Sequence, residues 1–132
     1  MSAIIQLGQV WHAWVPYREK PKPGEAAGKF RPVVILGWAL EPGQSQDVIV
    51  VPSTTFDKTP SKAKTNDLRL RDFGTAGLDK DSFIRCGRLT SLDPRSLDRD
   101  KGPLGTLTDR DLKMIVNEVS PMFAVSGFKV IP

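Results

Sequence analysis

The chain has 132 residues, and its hydrophobic content of 39% and charged content of 26% are ordinary for a soluble globular protein. It carries 19 Lys and Arg residues against 15 Asp and Glu, and this formal net charge of +4 favours an anionic partner. One Cys excludes an internal disulfide, and one His with one Cys excludes an ordinary zinc site. No apolar run approaches the roughly 18–20 residues of a membrane span, and the start lacks a signal peptide. We therefore expect one domain over residues 1–132, in the cytoplasm, away from membranes and without a cofactor.

The first half of the chain predicts three strands separated by loops. Residues 9–15 alternate apolar and polar positions and are rich in β-formers, and residues 31–40 have similar character. Residues 47–54 are almost continuously apolar up to Pro52, so both faces of that strand should be covered. Loops are predicted over 17–30 and 56–66 because Pro, Gly and Lys dominate there.

The next part of the chain predicts two further strands and two turns. Residues 67–71 and 82–92 read as strands. Residues 93–97 predict a one-turn helix capped by Asp93, with a proline at its first position. The Gly-Pro-Leu-Gly sequence at 102–105 predicts only a turn.

One α-helix is predicted over residues 107–120, with Thr108 as its N-cap and Pro121 as its end. Its apolar face consists of Leu112, Ile115, Val116 and Val119. Residues 122–131 can add a terminal strand. The fold class is therefore mainly β (α+β), a small, strongly bent sheet or barrel closed by a C-terminal helix.

Three hydroxyl side chains end the third predicted strand, where packing alone gives no reason for them: Ser53, Thr54 and Thr55. The loops beside the strands are basic, because residues 17–31 and 56–71 each hold five Lys or Arg against two Asp or Glu. These loops are either solvated surface or a cationic groove for a phosphodiester backbone. Candidate stacking surfaces for bases, or else ordinary core residues, are Trp38, Phe56 and Phe73.

The single His and the single Cys have plain structural interpretations. His12 lies within an alternating strand and is better explained as a strand residue than as a proton shuttle. Cys86 lies within an apolar strand pattern and is better explained as a small buried residue than as a reactive thiol. The sequence has no P-loop and no glycine-rich dinucleotide motif after a strand.

Several segments, in this order, resemble the MazF/PemK (Kid) toxins of bacterial toxin–antitoxin pairs. They are GQVWHAWV at 8–15, KFRPVVIL at 29–36, VIVVPSTT at 48–55, SFIRCGRLTSLD at 82–93 and a helix within LGTLTDRDLKMIVNEV at 104–119. The resemblance covers roughly residues 8–123. It implies an SH3-like barrel of the CcdB/PemK type with a C-terminal helix. It also implies a homodimer whose shared groove cuts single-stranded RNA without metal, and an antitoxin whose tail occupies that groove.

The resemblance also implies roles for particular residues. Arg31 matches the arginine of the family's Arg-Pro motif, Thr54 matches its threonine, and Thr55 stands where Ser is frequent, so these three are the candidate catalytic residues. RNA-binding roles are implied for Lys29, Lys58, Lys62, Lys64, Arg85 and Arg88.

The chain departs from the family pattern at three places. Gly87 stands where some members have an aspartate two residues after the arginine that matches Arg85. Gly24, next to Glu25, replaces a loop histidine, and Trp14 replaces an acidic residue common at the end of the first strand. The alternative function is therefore a non-catalytic member of the same fold, either a CcdB-like gyrase poison or a pseudo-toxin that binds RNA or a partner.

Overall fold

The computed structural model describes residues 5–17, 20–39, 46–55 and 66–124. Most of these residues lie in strands, and one long helix follows them. The elements are β1 (Gln9–Pro16), β2 (Gly28–Ala39), β3 (Asp47–Thr55), β4 (Asp67–Arg69), β5 (Ser82–Arg85), β6 (Thr90–Leu92), β7 (Pro103–Thr106) and α1 (Asp109–Ala124). Single 3₁₀ turns lie at Cys86–Arg88 and Pro94–Ser96.

All the strand pairs are antiparallel, and the strand order is β4-β5-β3-β2-β1-β7. The edge of β3 that faces away from β2 has two partners. Residues 48–50 pair with β6, and residues 53–55 pair with β5. The 3₁₀ turn at Cys86–Arg88 separates these partners. The prediction of one strand over 82–92 was therefore wrong, because the chain leaves the sheet between two separate pairings with β3.

Alternating residues on β1, β2 and β3 supply two apolar clusters. Val10, Val34 and Val51 belong to the cluster that contains Ile115 and Val119 of α1. We call this side of the sheet the helix face. The strand residues that alternate with these point to the opposite side of the sheet. They form a second cluster with residues from β6 and from the turn that follows it, and we call that side the loop face. The members of the second cluster from the strands are Trp11, Ala13, Val33, Ile35, Val48 and Val50.

Strand β7 lies where the sequence predicted only a turn. Gln9 pairs with Thr106 and Val10 with Gly105, so the segment continues the sheet beyond β1. Gly105 is required there, because a Cβ on it would lie 2.6 Å from the carbonyl carbon of Ala76. The loop that follows β4 thus touches β7 directly. The turn prediction was wrong because Pro and Gly serve here at a strand start and at a close backbone approach.

The C-terminal helix extends further than its sequence predicted. It continues through Pro121 to Ala124, because a proline removes one hydrogen bond from a helix that Ile115 and Val119 already anchor in the core. The terminal strand predicted over 122–131 is therefore wrong at residues 122–124, and its remainder lies outside the described residues.

The loop predicted over 17–30 is wrong at residues 28–30, because β2 already begins at Gly28. The rest of the predicted architecture is confirmed. A mostly antiparallel sheet is followed by one C-terminal helix. The one-turn helix after Asp93 is also present, and the Asp93 carboxylate accepts a hydrogen bond from the Arg95 backbone N–H at 2.9 Å. In the described part of the chain, no helix combines the length and the apolar character that crossing a membrane requires.

Candidate active site

Strand pairing places Arg31 and Thr54 on the same face of the sheet. Ala13, which belongs to the loop-face cluster, pairs with Arg31 on β2, and Val33 pairs with Pro52 on β3. Continuing that register by two residues sets Arg31 opposite Thr54. Directly opposite residues of antiparallel strands project to one side, so the guanidinium and the hydroxyl both project from the loop face. The two motifs that the sequence singled out therefore form one site.

The Arg31 guanidinium has unused hydrogen-bonding capacity. Its Nε atom is buried, and within the described part of the chain it has no hydrogen-bond partner. Burial lowers the pKa of Arg31 below its ordinary value, and the positive charges of Arg85 and Arg88 lower it further, while Tyr17 opposes the shift. Arginine stays protonated in proteins despite such shifts. A buried cation with a free donor favours an anion that can accept charge-assisted hydrogen bonds.

Two predicted RNA-binding residues lie close enough to Arg31 to act on its charge. Arg85 ends β5, and its Nε lies 3.7 Å from an oxygen of Asp67. That distance makes an ion pair but is too long for a hydrogen bond, and the Arg85 Nε is buried without one. Arg88 ends the following 3₁₀ turn. Arg31, Arg85 and Arg88 form what we call the arginine cluster.

A cleft of about 470 Å³ lies at the ends of β2 and β3. Its lining includes four of the predicted site residues, namely Lys29, Arg31, Thr54 and Thr55. It also includes Ser53, one of the three hydroxyls noted in the sequence, and residues that the sequence did not single out for the site, among them Phe30, Asp79, Lys80 and Ser82. The charged pair at 79–80 lies in the segment that joins β4 to β5, and its only sequence signal was its polarity. Lys58, Lys62 and Lys64 lie outside the described residues.

The three hydroxyls at the end of β3 do not share a target. The buried Ser53 hydroxyl donates to the Pro32 carbonyl at 3.0 Å and so ties β3 to β2. Thr54 pairs with Phe83 and Thr55 with Ser82. Because successive strand residues point to opposite sides, Thr55 projects from the helix face, away from the Arg31–Thr54 pair. The structure thus separates Thr55 from the other two candidate catalytic residues.

The remaining singled-out residues have structural surroundings. Cys86 is buried, and burial raises the pKa of its thiol to about 12, so it is not a reactive nucleophile. A Cβ on Gly87 would meet Asn66 first, at 3.5 Å. His12 is half-buried, and its ring stacks on Phe30 with centroids 5.6 Å apart. Burial lowers its pKa, which favours the neutral imidazole at neutral pH. Among the residues the structure describes, no three His, Cys, Asp or Glu side chains are grouped to hold a metal.

The fold has a counterpart among solved structures. It is similar to a mycobacterial endoribonuclease solved in complex with its cognate antitoxin, with a TM-score of 0.56 and 15% sequence identity. The similarity covers 92% of this chain and 97% of the other. No curated protein matches the chain. The model of the PemK-like, MazF-like toxins of type II toxin–antitoxin systems matches residues 6–123. The chain therefore belongs to this family of toxins, whose members include endoribonucleases.

Proposed function

We propose that this protein is a cytoplasmic toxin that cleaves single-stranded RNA at specific sequences without a metal ion. The observation that carries the proposal is the buried Nε of Arg31, which has no hydrogen-bond partner among the described residues and lies on the same face as the Thr54 hydroxyl. A phosphodiester supplies the anionic acceptor that this donor lacks. The whole chain would act as one domain, and no cofactor is needed for the chemistry.

The reaction proposed is an intramolecular transesterification. The ribose 2′-OH attacks the adjacent phosphorus, the bond to the 5′ oxygen breaks, the 2′ proton is released and the leaving oxygen gains one. The products are a 2′,3′-cyclic phosphate and a 5′-hydroxyl, and no water is consumed. Arg31 would donate hydrogen bonds to nonbridging oxygens as negative charge grows on them. Thr54 would hold a nonbridging oxygen or orient the 2′-OH, while Thr55 would only line the cleft.

The partners follow from the charge distribution and the family. We propose a homodimer with a shared cationic groove, in which Lys29, Lys58, Lys62, Lys64, Arg85 and Arg88 bind phosphates. An acidic antitoxin segment would compete for the same groove. Titrating the cognate antitoxin into a cleavage reaction should reduce activity to zero at saturation. Full activity in the saturated complex would contradict the shared groove.

Cleavage of a long mRNA in EDTA, followed by mapping of the 5′ ends, tests the proposal. The wild-type protein should cut at a short recurring sequence and leave 5′-hydroxyl ends. Thr54→Val keeps the β-branched shape and removes only the hydroxyl, so it should lose cleavage while circular dichroism stays unchanged. Thr55→Val is the matched control on the opposite face and should retain cleavage. Equal activity of folded Thr54→Val and wild type would remove Thr54 from the mechanism.

A non-catalytic role is the second candidate, and Gly87 favours it. Some family members carry a carboxylate at this place, and here none is available as a base. A protein that binds RNA in the same assay but leaves it uncut would support an RNA-binding pseudo-toxin. A protein that neither binds nor cuts RNA but stabilises gyrase–DNA cleavage complexes would support a CcdB-like gyrase poison.

A further inference from the structure

An unusually exposed aromatic side chain stands at the cleft beside the Arg31–Thr54 pair. Phe30 is 55% exposed, the largest fraction among the exposed large hydrophobic residues that the structure describes. It lies near the start of β2, where the strand pairs with β1. It also belongs to the lining of the cleft. Packing of the described residues therefore does not explain this ring.

The Phe30 ring is held in place from one side only. Trp14 lies directly opposite it on β1, and His12 is its diagonal neighbour on the same face. The His12 and Phe30 rings stack with an interplanar angle of 23°. The Trp14 ring leans over Gly28, where a Cβ would lie 2.9 Å from its Cζ2. The register and the His12 stack thus orient Phe30, and much of its surface stays accessible.

The charges around the cleft favour a polyanion over an apolar protein surface. Lys29, Arg31 and Lys80 all belong to the lining, against the single carboxylate of Asp79. An accessible aromatic ring among cations is the combination that single-stranded nucleic acids use, because bases stack on the ring while phosphates contact the cations. Phe30 and Arg31 project from opposite faces of the sheet, but both line the cleft at the strand ends, so a base next to a phosphate held by Arg31 can reach the Phe30 ring around the end of the sheet.

We propose that Phe30 stacks on one nucleobase next to the scissile phosphate, and that His12 positions the ring. This inference rests on the proposed RNA cleavage and adds a base-binding residue on the helix face, opposite the catalytic pair. Phe30 would contribute affinity for unpaired RNA, and His12 would act through Phe30 without touching the substrate. Stacking accepts any base, so sequence selection would come from other contacts.

The test uses a short RNA that contains the mapped cleavage sequence and carries a 2′-deoxy substitution at the cut position, so that binding is measured without cleavage. Phe30→Leu should weaken binding by roughly 5- to 150-fold, the range for loss of one base stack. Phe30→Trp keeps a stacking surface and should bind like wild type. Trp38→Leu is the matched control, since Trp38 is a 37% exposed aromatic on the same strand and does not belong to the cleft lining.

Removal of the base provides the decisive comparison. An abasic site next to the cut position should weaken wild-type binding about as much as Phe30→Leu does, and the two changes together should add little further. His12→Gln should weaken binding less than Phe30→Leu. Additive losses, or a Phe30→Leu protein that binds as tightly as wild type, would overturn the stacking assignment.

Two further outcomes separate this inference from the proposed function. If wild type cleaves RNA and Phe30→Leu binds normally, only the stacking assignment fails. If wild type neither binds nor cleaves RNA, the proposed function fails with it. Sedimentation of Phe30→Leu and Phe30→Trp distinguishes the protein alternative, because loss of the dimer in both variants would identify the ring as an interface between copies and overturn its assignment to RNA.

Discussion

The arginine cluster differs from the junction between the β4–β5 loop and α1 in whether its buried polar atoms have hydrogen-bond partners among the described residues. In the junction, the fully buried Asp111 carboxylate accepts hydrogen bonds from the backbone N–H groups of Arg71 and Asp72, at 3.0 and 2.8 Å. Thr108 and Arg110 both donate to the Asp72 carboxylate. In the arginine cluster, two buried Nε atoms have no hydrogen-bond partner within the described part of the chain. Both regions are polar, but among the described residues the buried polar groups are satisfied in the junction and not in the cluster.

We infer from this difference that the polar groups of the junction stabilise the fold and that those of the arginine cluster bind a ligand. Leaving a buried donor without a partner costs free energy of folding, so a cluster of such donors is unexpected where only stability matters. The comparison predicts that substitutions in the arginine cluster change RNA cleavage, and that substitutions in the junction change the free energy of unfolding.

The largest effect expected is on cleavage by Arg31→Ala. Removing one preorganised donor that faces developing charge typically lowers the rate by about 10²–10³-fold. The urea midpoint should not fall, since Nε of Arg31 makes no hydrogen bond that the substitution could remove. Single-turnover cleavage in EDTA and urea unfolding measure the two effects.

The matched control for Arg31→Ala is Arg95→Ala. Arg95 is an exposed arginine whose partner is Asp93, two residues earlier in the sequence. The Arg95→Ala variant should retain full cleavage activity. A large loss of stability in Arg31→Ala, or equal cleavage losses in both variants, would contradict the division between the two regions.

In the junction, Asp111→Ala should lower the free energy of unfolding by roughly 2–6 kcal/mol, because two backbone N–H groups lose their acceptor at about 1–3 kcal/mol each. Asp109→Ala is the control in the same helical turn. Asp109 is exposed, and only its interaction with the helix dipole is lost, so a few tenths of a kcal/mol are expected. Urea unfolding with an unchanged m-value measures both. A cleavage defect in folded Asp111→Ala, measured below its transition, would show that the regions are coupled.

The elements that the sequence predicted well are those with strong periodicity. Strands β1 and β3 and the core positions Ile115 and Val119 followed from spacing alone. The predictions of a turn at β7 and of a helix end at Pro121 were wrong, because tertiary contacts stabilise regular structure there despite residues that usually interrupt it. The close approach of Gly105 to Ala76 is a long-range contact, and no local pattern encodes it.

The candidate site was predictable only in part. Motifs pointed to Arg31 and Thr54, but their shared face depends on the β2–β3 register, which the local sequence pattern does not determine. The opposite orientation of Thr55 follows from the two-residue period of a strand and could have been predicted. The cleft position of Asp79 and Lys80 could not, because the path of a joining segment depends on the packing around it.

A smaller effect, on RNA affinity, is expected from substitutions of the lysines that follow β3 in the sequence. Lys62→Glu together with Lys64→Glu should weaken RNA binding about tenfold near 0.15 M salt. It should also flatten the dependence of log K on log salt by about 1.4, because each lost phosphate contact on a single strand contributes roughly 0.7. Sequence preference should stay unchanged.

Lys113→Glu on the exposed side of α1 controls for net charge against either single variant, Lys62→Glu or Lys64→Glu, because each changes the charge by two units. Filter binding across a salt series measures the slope of each variant. An equal shift in Lys113→Glu would mean that overall charge, and not the loop, determines affinity.

The smallest effect concerns His12, which lies next to the cleft but belongs to neither region. Burial, the largest cause, lowers its pKa from 6.5, and Lys101 lowers it further, while Asp98 opposes the shift. The imidazole of His12 therefore takes up a proton near pH 6.5 in the unfolded chain, whereas in the folded protein it stays neutral until a lower pH is reached. The free energy of unfolding should fall as pH drops from 7.5 through 6.5, and the fall should level off below the folded pKa.

His12→Gln should remove that slope, and urea midpoints between pH 7.5 and 5 measure it. The carboxyl groups with lowered pKa values, Asp72, Asp81 and Asp93, respond only below about 4, where they would be protonated in the unfolded chain. Lys101→Ala should reduce the slope without abolishing it, because burial of His12 remains. The His12→Gln variant should also keep most of its cleavage activity, because neither the arginine cluster nor the junction uses the imidazole as a base. If His12→Gln abolished cleavage while folded Thr54→Val stayed active, catalysis would belong to the helix face, and the Arg31–Thr54 pair would be structural.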